Sequence, residues 1–345
     1  MNVRDWLKLF RAQTAPATVF CVVVPYLIAG GSPVNLLILV PLFTIVHYLS
    51  FGHNSLMDYW YDVHDPNKKH HPLESGKITL HSAHKVIHYG MVACTLLCVY
   101  VTYVLSPRFS LALLNLLMYI AWGHAYNDGL DKNTPHSWLS ISMCFTHLAV
   151  YGWFLATGSI DWRLLIVALW AFLTIFYQIA WEGNLKDLWS EAERFNLLKT
   201  FGAELLRYGD KWVVRNLKWV ALFMTSLRVP VSTSLVLVLA ITLGWSWGLW
   251  TWNNILFLVM FILTFIGKSA PALAIQNIMY YELPFKREDL LEYFGLAESC
   301  EFFHFMSVLY VMGMGWLWTV LFIYGFTYFY AMNRLLWGSK FGPRV

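Results

Sequence analysis

Residues 35–62 read NLLILVPLFTIVHYLSFGHNSLMDYWYD. The part up to residue 53 is almost wholly apolar, and it is long enough to cross about 30 Å of hydrocarbon as a helix. Asn54, Asp58 and Asp62 then follow at four-residue intervals, which places all three on one face of a helix. The stretch therefore predicts a membrane-spanning helix whose end carries a stripe of oxygen-bearing side chains.

The composition of the chain indicates an integral membrane protein. Of its 345 residues, 58% are hydrophobic and 13% are charged, whereas a soluble domain carries about 25% charged residues. A surface with so few charges is unsuited to water, but it is what a lipid bilayer requires. The net charge of +4 is modest, so we expect the lipid bilayer, and no nucleic acid, as a partner. The five cysteines form no CxxC pair and indicate no disulfide framework.

Nine apolar segments approach the length of a membrane-spanning helix. They cover residues 15–31, 35–53, 86–105, 109–125, 138–157, 161–181, 232–249, 252–267 and 303–331. The first is expected to be a span and not a cleaved signal peptide, because no clear A-x-A site follows it. The pattern predicts an all-α integral membrane bundle of about nine transmembrane helices, with residues 1–345 forming a single membrane domain.

Three polar segments interrupt this pattern and are expected to form helical and loop caps on the inner side of the membrane. They cover residues 54–85, 182–231 and 268–302. If the N-terminus is inside, the inner segments contain most of the 24 lysines and arginines, as is typical of the cytoplasmic side. The sequence therefore predicts a multi-pass protein of the cell or inner membrane, with its N-terminus and its active site on the cytoplasmic side.

The two carboxylates at the end of the helix predicted for residues 35–62 require compensation. Asp58 and Asp62 repel each other at four-residue spacing, and carboxylates near the membrane are costly without a positive partner. A divalent cation would resolve both problems, and hard oxygen ligands favour Mg²⁺. Asn54, Asp58 and Asp62 are therefore candidate metal ligands.

A second cluster follows the sixth apolar segment, where residues 182–194 read EGNLKDLWSEAER. Asn184, Asp187 and Glu191 would share a helix face at spacings of three and four, and Glu193 lies two residues further on. One such stripe alone is typical of a solvated helix end. Because an asparagine followed by two carboxylates occurs at the inner end of two even-numbered spans, we interpret the clusters as two half-sites that face one cavity.

The first cluster also resembles a known motif. Asn54-x-x-x-Asp58-x-x-x-Asp62 is similar to the N-D-x-x-D-x-x-x-D motif of the UbiA superfamily of intramembrane prenyltransferases, with Ser55 in place of the first aspartate. Residues 71–79, HPLESGKIT, resemble the R-P-L-x-S-G-x-I-x continuation of that motif, with histidine in place of arginine.

The resemblance continues along the chain. Tyr126 and Lys132 resemble the tyrosine and lysine of the loop that follows the family's fourth helix. Residues 193–200, ERFNLLKT, are similar to the D-R-x-x-G-I-K-T ending of the family's second aspartate-rich motif. The similarity covers most of residues 1–205, and the family also has nine transmembrane helices.

The resemblance implies a magnesium-dependent prenyltransferase, which moves a prenyl group from a prenyl diphosphate to a hydrophobic, aromatic or lipid acceptor within the membrane. Mg²⁺ would assist ionisation of the carbon–oxygen bond, and the acceptor would attack the resulting allylic cation. Together with the acidic clusters, the resemblance implies that the catalytic residues are Asp58, Asp62, Asp187 and Glu191. The expected metal ligands are Asn54, Asp58, Asp62, Asn184, Asp187, Glu191 and Glu193. The expected diphosphate ligands are Arg11, Lys68, Tyr126, Lys132, Arg194 and Lys199.

The sequence leaves two other functions open. A transporter or a non-catalytic membrane subunit could keep the family's fold, because Ser55 and the irregular second cluster depart from the family's motifs. A histidine-rich di-iron membrane oxygenase is indicated more weakly by His81-x-x-His84-x-x-x-His88. Such enzymes need several histidine boxes, and the sequence contains one partial box.

Overall fold

The structure is a computed structural model that describes residues 2–64, 68–128, 134–189, 195–246 and 251–338. Four residues assigned to the site from the sequence lie outside these ranges: Lys132, Glu191, Glu193 and Arg194. The α-helices within them are α1 (Val3–Leu9), α2 (Ala15–Ile28), α3 (Leu36–Asp62), α4 (Leu80–Leu105), α5 (Phe109–Asn127), α6 (Ser137–Ala156), α7 (Trp162–Phe176), α8 (Asn184–Lys186), α9 (Leu197–Thr200), α10 (Lys218–Ser226), α11 (Ser232–Thr242), α12 (Trp252–Tyr280), α13 (Arg287–Met306), α14 (Val308–Val311) and α15 (Gly315–Trp337). Two π-helical segments, Tyr177–Gly183 and Leu227–Val231, continue α7 and α10.

Seven helical stretches in the described ranges are long and apolar enough to cross a membrane. An eighth candidate combines α1 with residues Ala12–Ile28, which meet at a bend of 57°. The all-α membrane bundle predicted from the sequence is confirmed, and the expected count of nine spans is approximate. The ninth predicted segment, residues 303–331, is divided among the end of α13, α14 and most of α15.

Several helices continue further into the predicted polar segments than the apolar pattern indicated. α3 ends at Asp62, and the span that begins with α7 continues to Trp189. The next span begins at Lys218, and α12 continues to Tyr280. Helical hydrogen bonding involves the backbone, so a helix extends past the last apolar side chain whenever the following residues still tolerate helical dihedrals.

The described chain also contains a β-hairpin that the sequence did not predict. β1 (Glu204–Tyr208) and β2 (Lys211–Arg215) pair antiparallel, and Gly209 in the turn has φ 64°, a conformation that favours glycine. A lone hairpin is only marginally stable in water. Here β2 is also bridged to the segment before α13, through backbone hydrogen bonds between Trp212 and Phe285 in both directions.

The helix α2 lies at the centre of the apolar core. All of its residues except Ala17 are buried, as expected for a helix that is apolar on every side. The helix α6 approaches it closely at Gly152, where an added Cβ would lie 2.3 Å from the Val22 carbonyl oxygen.

Replacing Gly152 with alanine should therefore destabilise the bundle, because the methyl group would force α6 away from the backbone of α2. Overpacking of this kind costs about 1–3 kcal/mol, and the obstacle here is backbone, which cannot rotate aside. Thermal unfolding in detergent measures the effect. Gly123→Ala is the matched control, since its nearest neighbour would be the Cys144 sulfur at 3.5 Å. Equal stability of the two variants would contradict the proposed close packing.

Candidate active site

A cavity of about 500 Å³ lies among the helices of the bundle. Residues from the middle of these helices give it an apolar wall, which includes Phe20, Phe145, Ile175, Phe302 and Phe303. Residues near the ends of α3 and α5 and along the π-helical segment after α7 give it a polar wall, which includes Asn54, Asp62, Tyr126, Asn127 and Glu182. The cavity therefore suits an elongated ligand with a charged head and an apolar body.

The first acidic cluster is carried by the last three turns of α3. Asn54, Asp58 and Asp62 are all buried, with exposed fractions of 9%, 4% and 5%. Asn54 and Asp62 line the cavity, whereas Asp58 is absent from the described residues that line it. Asn54 Nδ2 donates to Asn127 Oδ1 of α5 at 2.9 Å, and Asp62 Oδ2 lies 3.8 Å from Lys68 Nζ. Two of the three residues predicted to form one stripe therefore reach the cavity.

Three of the residues predicted to bind diphosphate also line the cavity: Arg11, Lys68 and Tyr126. Arg11 occupies the bend between α1 and α2 with φ 47°, a left-handed conformation that costs a non-glycine residue about 1–3 kcal/mol. The Arg11 carbonyl accepts a hydrogen bond from Thr14 Oγ1 at 2.9 Å, which helps to hold the bend. Lys199, by contrast, is exposed and does not line the cavity.

His70 lies beside these cations at the cavity wall, in the segment between α3 and α4. Burial lowers the pKa of His70, and the neighbouring positive charges of Lys8 and Lys68 lower it further. His70 is therefore neutral at pH 7, and it can act as a hydrogen-bonding group but does not add positive charge to the cavity.

The second acidic cluster does not form the continuous helix that its spacing predicted. A π-helical turn (Tyr177–Gly183) precedes it, and the chain then narrows to a 3₁₀ turn at Asp187–Trp189. Asn184 is used locally: its Oδ1 accepts from the Leu197 backbone N–H at 2.7 Å. Asp187 is exposed, and neither it nor Asn184 is among the described residues that line the cavity.

Another set from the same segment faces the cavity instead, namely Gln178, Glu182 and Lys186. A π-helix has a wider turn than an α-helix, so it changes which side chains of this segment face inward. The sequence does place these three polar residues four positions apart. This pattern was missed because Gln178 lies inside the apolar run of residues 161–181. Glu182 is 6% exposed.

Three buried oxygen atoms on the cavity residues have no hydrogen-bond partner within the described chain. They are Gln13 Oε1, Glu182 Oε1 and Glu298 Oε2. The other Glu298 oxygen accepts a hydrogen bond from Arg228 Nη2. Buried acceptors without a donor are costly, so these atoms indicate a ligand that brings hydrogen-bond donors or a cation into the cavity.

The donor set of the polar wall fits a hard divalent cation and an anion. Asn54, Asp62 and Glu182 offer amide and carboxylate oxygens, which are the ligands that Mg²⁺ prefers. Arg11, Lys68 and Lys186 line the same cavity and can bind phosphate oxygens. An Mg²⁺–diphosphate head group would therefore find both kinds of partner within one cavity.

Comparison with known proteins gives the family. A model described as the UbiA prenyltransferase family matches residues 17–282, whereas no curated protein sequence matches the chain. Solved structures with a similar fold include one described as digeranylgeranylglyceryl phosphate synthase, with 17% identity over 88% of this chain and 97% of the other and a TM-score of 0.56. A UbiA homologue from Archaeoglobus fulgidus bound to GPP and Mg²⁺ is 12% identical over 94% of this chain and 99% of the other, with a TM-score of 0.54.

A third structure, the apo form of a UbiA homologue from Aeropyrum pernix K1, is 13% identical over 87% of this chain and 97% of the other, with a TM-score of 0.56. At these identities the structures show a common fold. The family model covers more than half of the chain and includes α3 with its acidic stripe. The chain therefore belongs to the UbiA prenyltransferase family.

Proposed function

We propose that the protein transfers a prenyl group from a prenyl diphosphate to a hydrophobic acceptor within the membrane, in a reaction that depends on Mg²⁺. The observation that carries the proposal is that Asn54 and Asp62 line the same cavity as Arg11 and Lys68, next to a wall of phenylalanines. The chemistry of both walls matches the two parts of a prenyl diphosphate. The UbiA homologue from Archaeoglobus fulgidus, which has been solved with GPP and with DMAPP together with Mg²⁺, supports this choice of donor.

The residues of the polar wall would hold the diphosphate and balance its charge. Asn54 and Asp62 from α3 and Glu182 from the π-helical segment would hold the metal, and Asp58 lies between the first two along α3. Mg²⁺ bound there supplies Lewis acidity and a template for the departing diphosphate. Arg11 and Lys68 would neutralise the negative charge that develops on the leaving group.

The apolar wall would bind the prenyl chain and exclude water from the reacting carbon. Phe20, Phe302 and Phe303 lie in the cavity with their rings close together: the Phe20 ring centre is 6.1 Å from that of Phe302 and 6.2 Å from that of Phe303. Aromatic faces attract cations, so these rings would also stabilise an allylic cation against capture by water.

The orientation of the protein forms part of the proposal. The first half-site is carried by the C-terminal end of α3, and Lys68, Lys69 and Lys77 follow it in the segment before α4. A concentration of basic residues favours the cytoplasmic side. We therefore place the N-terminus and the opening for the diphosphate on the cytoplasmic side of the cell or inner membrane.

A direct assay tests the function. The protein is reconstituted in liposomes with radiolabelled geranylgeranyl or geranyl diphosphate, Mg²⁺ and a lipid extract, and both released diphosphate and labelled lipid are measured. We expect a labelled, lipid-soluble product whose formation stops when EDTA removes the metal. Mass spectrometry of that product identifies the acceptor. No product with any donor or extract would favour a non-catalytic member of the family.

The acceptor is expected to carry a hydroxyl or amine group. Glu298 Oε2 is a buried acceptor on the cavity wall that lacks a donor among the described residues, and a ligand N–H or O–H would satisfy it. Arg228 Nη2 binds the other Glu298 oxygen, so the carboxyl group is held in position for such a contact.

Glu298→Gln should therefore weaken acceptor binding and leave donor binding intact. A hydrogen bond to a carboxylate contributes about 1.5–3 kcal/mol, so we expect the KM for the acceptor to rise by about 10–100-fold. The KM for the prenyl diphosphate should change less than twofold. Glu292→Gln, an exposed position on the same helix, is the control. If only the KM for the prenyl diphosphate rose, Glu298 would contact the donor and not the acceptor, which would contradict the prediction.

A further inference from the structure

A cluster of histidines lies at the edge of the proposed active site, where the ends of α3 and α5 meet the first half of α4, and two of them, His53 and His124, line the cavity. The rings of His53 and His124 have their centres 5.1 Å apart, and Asp128 directly follows α5, one turn beyond His124. Asp128 Oδ1 lies 3.4 Å from His53 Nε2, and Asp128 Oδ2 lies 3.1 Å from His124 Nδ1. Two imidazoles and a carboxylate from two helices therefore converge on one point.

The distances within this cluster match those of a metal site. The three donor atoms all lie within 4.8 Å of one another. Zinc binds nitrogen and oxygen at about 2.0–2.2 Å in tetrahedral geometry, which separates neighbouring ligand atoms by about 3.3 Å. The separations of 3.4 Å and 3.1 Å are close to that value, but each involves a different oxygen of Asp128, so the carboxylate and both imidazoles would turn to surround one ion.

The surroundings of the cluster can hold the histidine tautomer that a metal needs. The Asn127 side-chain amide lies 3.3 Å from His53 Nδ1, and after rotation by 180° it accepts a hydrogen bond there. Nδ1 then carries the proton, and Nε2 keeps the lone pair that binds the ion. A matching rotation of the Asn54 amide reverses the contact between the two side chains, so that Asn127 Nδ2 donates to Asn54 Oδ1.

A third histidine lies near the cluster, although it is not one of the three residues whose donor atoms lie within 4.8 Å of one another. The ring centre of His88 lies 5.9 Å from that of His53. His88 Nδ1 lies 2.9 Å from the His84 carbonyl oxygen, so Nδ1 carries the proton and Nε2 is left with its lone pair. The fourth position of a tetrahedral ion can be filled by this nitrogen or by water. Asp128 is 40% exposed, which gives an ion access from the solvent.

We propose that His53, His124 and Asp128 bind one divalent transition-metal ion of the Zn²⁺ type, separate from the Mg²⁺ of the active site. Imidazole nitrogen favours zinc and its neighbours in the first transition series, whereas Mg²⁺ prefers oxygen. The ion joins the end of α3, which carries Asn54, to the end of α5, which carries Tyr126. By linking these two helix ends, the ion stabilises the polar wall of the cavity.

Metal titration of the full-length protein in detergent tests the site. After treatment with a chelator, Zn²⁺ is added in the presence of excess Mg²⁺, and binding is followed by calorimetry and by elemental analysis after gel filtration. We expect one tightly bound Zn²⁺ per chain and a rise in the unfolding temperature. Co²⁺ in place of Zn²⁺ should give the visible ligand-field bands of a four-coordinate site.

Four variants decide the location of the ion. His124→Ala and Asp128→Asn should each weaken Zn²⁺ binding by at least about 100-fold, since each removes one of three protein ligands. His81→Ala, an exposed histidine on α4, and Asp62→Asn, in the Mg²⁺ cluster, should bind Zn²⁺ as the wild type does. The two ligand variants are compared with the wild type by thermal unfolding in chelator, which separates loss of a ligand from loss of the fold.

Three results would overturn the proposal. Wild-type protein without stoichiometric Zn²⁺ would show that the cluster is a metal-free set of hydrogen bonds. Undiminished binding in both His124→Ala and Asp128→Asn would place the ion elsewhere. Loss of Zn²⁺ in Asp62→Asn, with retention in His124→Ala, would assign the ion to the Mg²⁺ cluster.

Discussion

Asp62→Asn should lower prenyl transfer by about 1,000-fold or more, because it removes a metal-binding charge whose loss is worth several kcal/mol in the transition state. Asp62 is 5% exposed, lines the cavity and ends the helix that carries the acidic stripe. Asparagine keeps the size of the side chain, so the fold should be retained. Initial rates with radiolabelled geranyl diphosphate at saturating Mg²⁺ measure the effect.

The matched control for this experiment is Asp210→Asn. Asp210 lies in the turn of the β-hairpin, is exposed, and has its carboxylate 3.2 Å from Lys286 Nζ. Exposed pairs of this kind contribute little to stability, so the control should keep the wild-type rate. A wild-type rate in Asp62→Asn itself would remove Asp62 from the proposed metal site.

Glu301→Leu should destabilise the protein by about 3–5 kcal/mol, because it leaves the buried Lys268 ammonium without its carboxylate partner and leaves Arg228 with Glu298 alone. Glu301 and Lys268 are both fully buried, and Glu301 Oε2 lies 3.1 Å from Lys268 Nζ and 3.6 Å from Arg228 Nε. The Trp170 indole N–H donates to the other oxygen at 2.9 Å. The free energy of unfolding in mixed micelles measures the change.

A double variant separates the ion pair from simple loss of side-chain volume. Lys268→Met combined with Glu301→Leu removes both charges, so it should be less destabilised than the sum of the two single variants. Glu292→Leu, at an exposed position of the same helix, controls for the helix itself. If Glu301→Leu were as stable as the wild type, the cluster would not hold α12 and α13 together.

The first half-site could be predicted from the sequence because its information is local. A run of apolar residues followed by polar residues every fourth position defines both a span and the face that its end presents. α3 forms as a single helix from Leu36 to Asp62, and Asn54 and Asp62 line the cavity. The class of the protein was predictable for a similar reason, since hydropathy depends on composition alone.

The second half-site could not be predicted in the same way, because its backbone is not a regular α-helix. The face shared by Asn184 and Asp187 exists only if α-helical geometry continues through residues 184–191. The 3₁₀ turn at Asp187–Trp189 ends that geometry, and Gln178, Glu182 and Lys186, which lie in and just after the π-helical turn at Tyr177–Gly183, reach the cavity instead. The four-residue spacing of Gln178, Glu182 and Lys186 is present in the sequence, but that spacing alone does not show that a π-helical turn interrupts the α-helix before them or that they face a cavity.

The sequence by itself determined that this chain is a helical membrane protein of the UbiA type with an acidic stripe at one helix end, because these properties depend on residues close together in the chain. Only the tertiary structure decided which side chains meet. Glu301 joins Lys268 and Arg228, and His53 faces His124, across separations of 33 to 73 residues. Such pairs form because a buried charge or ring must find its partner wherever the fold brings one within reach.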